Sequence, residues 1–129
     1  MNFTISEPQG GAGLAKLSVW EAGYKICLDV YRLADSFKDE IAKEQVKKVT
    51  IPVLFDVSHK GGAKLSKGHL KRLKQMHLSM QRLSTMMMFV HDLEYLDTKK
   101  YLELNSNMNY LQAKLKKIIK YQERKLKNP

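Results

Sequence analysis

The stretch SKGHLKRLKQMHLSMQRLSTMMMFVHDLEY, Ser66 to Tyr95, decides the fold. Its apolar residues Leu73, Met76, Met80, Leu83, Met87 and Val90 recur at alternating spacings of three and four. That pattern belongs to an α-helix laying one seam against a partner helix. Leu70, Met86, Phe89 and Leu93 widen the seam into a stripe, so this helix is expected to touch two bundle neighbours or a second subunit. Ser66 stands where an N-cap belongs.

The flanking sequence supplies the partners. Ser18-Val19-Trp20-Glu21 fits a capping box. It is followed by Trp20, Tyr24, Cys27, Leu28, Tyr31 and Ala34 at helical spacing, which predicts a first helix over Val19 to Asp35. After a turn at Ser36-Phe37, the residues Ile41, Gln45, Val46, Val49, Val53 and Val57 predict a second helix from Lys38 to Val57. Within it Thr50-Ile51-Pro52-Val53 has the propensity of a short strand. No partner strand pattern occurs elsewhere, so a helix kinked at Pro52 is the better reading, because proline has no N–H for the carbonyl of Lys48.

His59-Lys60-Gly61-Gly62 ends that helix, and Leu96-Asp97-Thr98 is a turn with Asp97 as the cap of a last helix. There Tyr101, Leu104, Met108, Leu111, Leu115, Ile118 and Leu126 point inward. Four amphipathic helices on short connections predict an all-α, up-down-up-down antiparallel four-helix bundle over residues 16–127. Residues 1–15, with Pro8, Gly10, Gly11 and Gly13, read as a flexible N-terminal arm.

A length of 129 residues suits one domain with a real core. The single cysteine, Cys27, rules out an internal disulfide and a cysteine-based zinc site, and its apolar neighbours predict a buried, inert thiol. Apolar runs fall far short of the ~20 residues that span a bilayer. With no signal-peptide pattern visible, a cytoplasmic protein is expected.

Charge is the functional signal. The net charge is +10, and the first 36 residues contribute none of it. Antiparallel topology brings Lys60, Lys64, Lys67, Lys71, Arg72 and Lys74 to the same pole as Lys114, Lys116, Lys117, Lys120, Arg124, Lys125 and Lys127. Thirteen of 23 basic residues then share one half of the molecule, with Asp56 and Glu123 as the main acids among them. The other pole, Ser36 to Glu44 and His91 to Glu103, is nearly balanced. Solubility needs charge but not its concentration, so the cluster favours a polyanion, and lysines favour phosphates. Scarce Arg argues against base-edge readout. Tyr110 and Tyr121 are candidates to stack on bases, or else helix-interface residues.

No catalytic constellation is visible. His69 and His77 have no carboxylate or cysteine three or four residues away to complete a metal pair. His91-Asp92-Leu93-Glu94 reads as a surface or capping cluster, since adjacent helical residues diverge around the axis. The Glu-x-x-His pattern of di-iron bundles is missing, and Gly61-Gly62 lacks P-loop spacing. Met86, Met87 and Met88 suit adaptable core or a subunit interface. The expectation is a protein that is not an enzyme and carries no cofactor.

The run Leu17-Ser18-Val19-Trp20-Glu21-Ala22, followed by Val30-Tyr31-Arg32-Leu33 and Phe37, resembles the opening of the four-helix bundle family first noted in intervening sequences of bacterial 23S rRNA genes. Gln45, the pair Lys47-Lys48 and Ile51-Pro52 match the family's second-helix motif; its Asn and Glu-Gly are replaced here. The resemblance runs from Leu17 to Lys120. It implies a cytoplasmic antiparallel bundle assembled as a ring-shaped homopentamer. The charge surplus and the altered motif make the chain most similar to the accessory variability determinant proteins of diversity-generating retroelements. That branch implies binding of template RNA or cDNA and association with a reverse transcriptase in mutagenic retrohoming. The alternative is a structural or scaffold oligomer of the intervening-sequence type, with no nucleic-acid role.

Overall fold

A computed structural model describes residues 13–58 and 65–127. They form four helices and no strand: α1 (Val19–Ala34), α2 (Glu40–Ser58), α3 (Lys67–Asp92) and α4 (Thr98–Lys127). Each helix contacts the next in the chain, and α1 closes the ring against α4.

Cross-helix pairs give the directions. His69, His77 and His91 on α3 meet Gln122, Gln112 and Thr98, so rising numbers on α3 pair with falling numbers on α4. Asp35, just past α1, binds Lys47 early in α2 at 2.6 Å, while a side chain at Gly23 would meet Val57 late in α2. Trp20 lies beside His69, and a Cβ on Gly23 would reach Met76, so α1 and α3 run the same way. The bundle is therefore antiparallel between neighbours, as connections of a few residues require.

Local chemistry sets the helix starts. Ser18 Oγ accepts from the Glu21 amide at 3.1 Å while the Glu21 carboxylate accepts from the Ser18 amide at 3.1 Å, completing the capping box. Ser66 Oγ accepts from the His69 amide at 3.1 Å. The α2 cap is Asp39, whose carboxylate accepts from the Ala42 amide at 2.8 Å, so that helix begins at Glu40 and not at Lys38. At α4 the Asp97 carbonyl accepts from the Tyr101 amide at 2.9 Å.

The segment Thr50 to Val53 is helical, and α2 runs on through Pro52. Thr50 is buried, and its hydroxyl donates to the Val46 carbonyl at 2.7 Å, so the hydroxyl enters the core without an unmet hydrogen bond.

The core holds Leu73, Met76, Met80, Leu83, Met87 and Val90 of α3, the predicted seam, against Ile26 and Val30, Val46 and Val53, and Met108, Leu111 and Leu115. Three details of the inward faces differ from the sequence reading. On α1, Tyr24 and Tyr31 are exposed, and Val19, Ala22, Gly23, Ile26 and Val30 turn inward. Small residues there permit close helix approach, and Tyr31 instead lies beneath the Lys47 ammonium, 5.0 Å from its ring centre. On α2, Ile41 is exposed. On α3, Phe89 and Leu93 are exposed, so the wide stripe narrows to the seam at that end.

Leu14, assigned by sequence to the arm, is fully buried, and its carbonyl accepts from the Leu17 amide at 3.0 Å. Packed structure thus reaches back to Leu14; the rest of the arm up to residue 12 lies outside the described residues. The Lys47 ammonium, hydrogen-bonded to Asp35, holds that carboxyl below the usual carboxylate range.

Candidate nucleic-acid interface

The basic surface is built on a fixed register between α3 and α4. Gln112 grips His77 twice: its Oε1 lies 2.8 Å from His77 Nδ1, and its Nε2 donates to the His77 carbonyl at 3.1 Å. Because the amide oxygen can only accept, Nδ1 of His77 carries the proton in this arrangement. One pole further along, buried Gln122 places Oε1 3.2 Å from Nδ1 of buried His69, and Trp20 of α1 packs edge-on against that imidazole at 5.9 Å. Three helices are thereby tied where the N-terminal half of α3 lies along the C-terminal half of α4. No buried side-chain nitrogen or oxygen among the described residues lacks a partner.

On that scaffold Lys67, Lys71 and Lys74 are exposed along one face of α3, and Arg72 is half-buried. On α4, Lys116, Lys120, Arg124, Lys125 and Lys127 are exposed, and Lys114 and Lys117 are half-buried. Gln112 and Glu123 mark the flank of α4 that faces α3, since they contact His77 and Lys74. Lys116 is one turn beyond Gln112, and Lys120 and Lys127 lie one turn either side of Glu123, which puts these three on the same flank. The lysines of the two helices therefore adjoin. Lys60 and Lys64 lie outside the described residues.

Acid is scarce on this surface. Glu123 pairs with Lys74 at 3.1 Å, both about half exposed. Asp56 is engaged inside the α2–α3 contact, accepting from the buried Ser79 hydroxyl and from Gln75 Nε2. Neither residue neutralises Lys67, Lys71, Lys116 or Lys120.

A groove of about 370 Å³ runs along the outer face of α3, lined by Lys67, Leu70, Lys71, Lys74, Gln75 and Leu78. Sequence reasoning missed this groove, and it missed the Gln112, Gln122 and Ser79 contacts. The available signal was polar residues at inward positions: Gln122 falls one turn after Ile118, and His69 one turn before Leu73.

The tyrosines divide. Tyr110 is 2% exposed, which removes it as a stacking platform for a base, and Lys114 lies over its ring at 5.8 Å. Tyr121 is half-buried with Lys125 at 5.8 Å from its ring centre. At the other pole His91 stacks on Tyr101 at 4.3 Å and contacts Thr98. Burial pushes the Cys27 thiol up to about 12, leaving it protonated at neutral pH. Among the described residues no group of three potential metal ligands converges, and no helix is long and apolar enough to cross a membrane.

The architecture is that of a four-helix bundle with cations concentrated at one pole. Comparison with family models, curated proteins and solved structures found no match. The resemblance to the intervening-sequence family therefore rests on the residues quoted for it.

Proposed function

We propose that this chain is a non-catalytic basic accessory protein. It holds nucleic acid, template RNA or cDNA, by its phosphates. It associates with a reverse transcriptase during mutagenic retrohoming of a diversity-generating retroelement. The observation that carries the nucleic-acid reading is the adjoining of Lys67, Lys71 and Lys74 with Lys116, Lys120 and Lys127 across one helix pair, with Glu123 as the acid between them. Clustered cations lower the free energy of a polyanion by releasing its counterions, an effect that dispersed lysines lack. The reverse-transcriptase partner and a cytoplasmic location follow from the family resemblance. So does a ring-shaped homopentamer, whereas a bend of α2 at Pro52 follows from the N–H that proline lacks.

Exposed Ile41, Phe55, Phe89 and Leu102 favour self-assembly. That also suits the second reading, a scaffold oligomer without a nucleic-acid role. The two readings part on one measurement. Replacing Lys116, Lys117, Lys120 and Arg124 together with Glu is expected to abolish retention of structured RNA in a gel shift and to leave helicity by circular dichroism unchanged. Retention that persists at moderate salt, or a parent protein that forms no salt-sensitive complex, sinks the nucleic-acid reading and leaves the scaffold.

A further inference from the structure

The groove on α3 has a character that a generic phosphate-binding surface does not need. Lys67, Lys71 and Lys74 follow one another by about one helical turn, ~5 Å each, on a single face. Between and beyond them lie Leu70 and Leu78, and Leu78 is 43% exposed. Lys67 and Lys71 form no ion pair with any described acid, whereas Lys74 is held by Glu123 at the α4 edge. The groove thus sets an exposed leucine among three ammonium groups, an apolar contact and cations on one face.

We infer that this groove binds single-stranded nucleic acid in preference to duplex, a step that rests on the proposed function and specifies its ligand. In a duplex the base faces are stacked inside, and the outer ridge offers phosphate and sugar alone. An unpaired strand offers both chemistries at once: successive phosphates for Lys67, Lys71 and Lys74, and an unstacked base face for Leu78 and Leu70. Among the described residues the groove is lined by no Arg, Asn or side-chain carboxylate, and Gln75 is committed to Asp56 at 3.4 Å, so base identity goes largely unread. Because all three lysines stand on the one helix α3, their backbone spacing is set without help from the ligand, which lowers the ordering cost of binding.

The test uses the full chain and fluorescence anisotropy with a labelled oligouridylate, a hairpin-free mixed-sequence RNA strand, and the same strand annealed to its complement. The parent protein is expected to bind both single strands more tightly than the duplex. Leu78→Asn, a change at an exposed position, is expected to weaken single-strand binding about fivefold, the low end of a base-packing contact, and to leave duplex binding and the salt slope unchanged. Lys71→Gln is expected to weaken both forms and to flatten the salt slope by about one. Equal binding of strand and duplex, or an effect of Leu78→Asn that is nil or equal on both, overturns the inference while leaving the nucleic-acid reading intact. Displacement of the oligouridylate by polyglutamate of equal charge, as readily as by unlabelled strand, also overturns it and marks the groove as a site for acidic protein. Absence of any complex removes the proposed function and this inference together.

Discussion

At Gly23 a hydrogen stands where any other side chain would meet α2 and α3. A Cβ there would lie 2.9 Å from Cγ1 of Val57 and 2.5 Å from Cε of Met76. The methionine end can swing away, but Val57 is β-branched and stiff within its helix. Gly23→Ala gains about 1 kcal/mol of helix propensity and meets about 1–3 kcal/mol of overpacking. Net destabilisation is the expected result, read as a lower urea midpoint with an unchanged slope. A Val57→Ala background removes the 2.9 Å contact and leaves the Cβ of residue 57 at 3.2 Å and the movable methionine end, so the same substitution is expected to cost less there. The position also explains why Tyr24 and Tyr31 were misplaced by periodicity. An apolar-period reading counts a tyrosine's ring and passes over a glycine, yet close approach selects the face with the smallest residues, and the tyrosines are left outside.

Helix identity was legible because each of the four segments carries its own apolar period, and because Ser18, Glu21 and Ser66 are cap residues with a mechanism. Helix ends were less so, and α3 shows why. The pattern continues to Tyr95, but the helix stops at Asp92. The Tyr95 amide donates back to the Val90 carbonyl at 3.0 Å and the Glu94 amide to the His91 carbonyl at 2.9 Å, the paired bonds of a Schellman ending. Such an ending requires a left-handed residue, and Glu94 occupies it with φ 64°. Glycine or asparagine would have announced the stop; glutamate conceals it. The strain is about 1 kcal/mol for a residue with a Cβ. Glu94→Gly is therefore expected to raise stability by about that amount, seen as a later thermal midpoint, with nucleic-acid binding unaffected because the position lies at the pole opposite the lysine row. A lower midpoint would mean that the Glu94 side chain makes contacts that outweigh its backbone cost.

At the scale of the molecule, the location of the charge followed from connectivity and period: once neighbouring helices are antiparallel, Lys67 to Lys74 and Lys114 to Lys127 must share a pole. Which cations look outward did not follow, because it depends on how each helix is rotated. Lys114 and Lys125 lie over Tyr110 and Tyr121, so part of each side chain packs on the protein. Glu123 lies inside the basic surface and holds Lys74 in a half-exposed pair worth under about 1 kcal/mol of stability. Its effect on a polyanion is larger than its effect on folding, since it both repels phosphate and occupies one ammonium. Glu123→Gln keeps the shape, removes the repulsion and frees Lys74. The expected outcome is tighter RNA binding at low salt, with the slope of log affinity against log salt steeper by about one. Thermal stability should stay within about 0.5 kcal/mol of the parent. Unchanged affinity and slope would show that phosphates do not reach the α3–α4 flank, and the ligand would then have to lie on the Lys114, Lys117 and Lys125 side of α4.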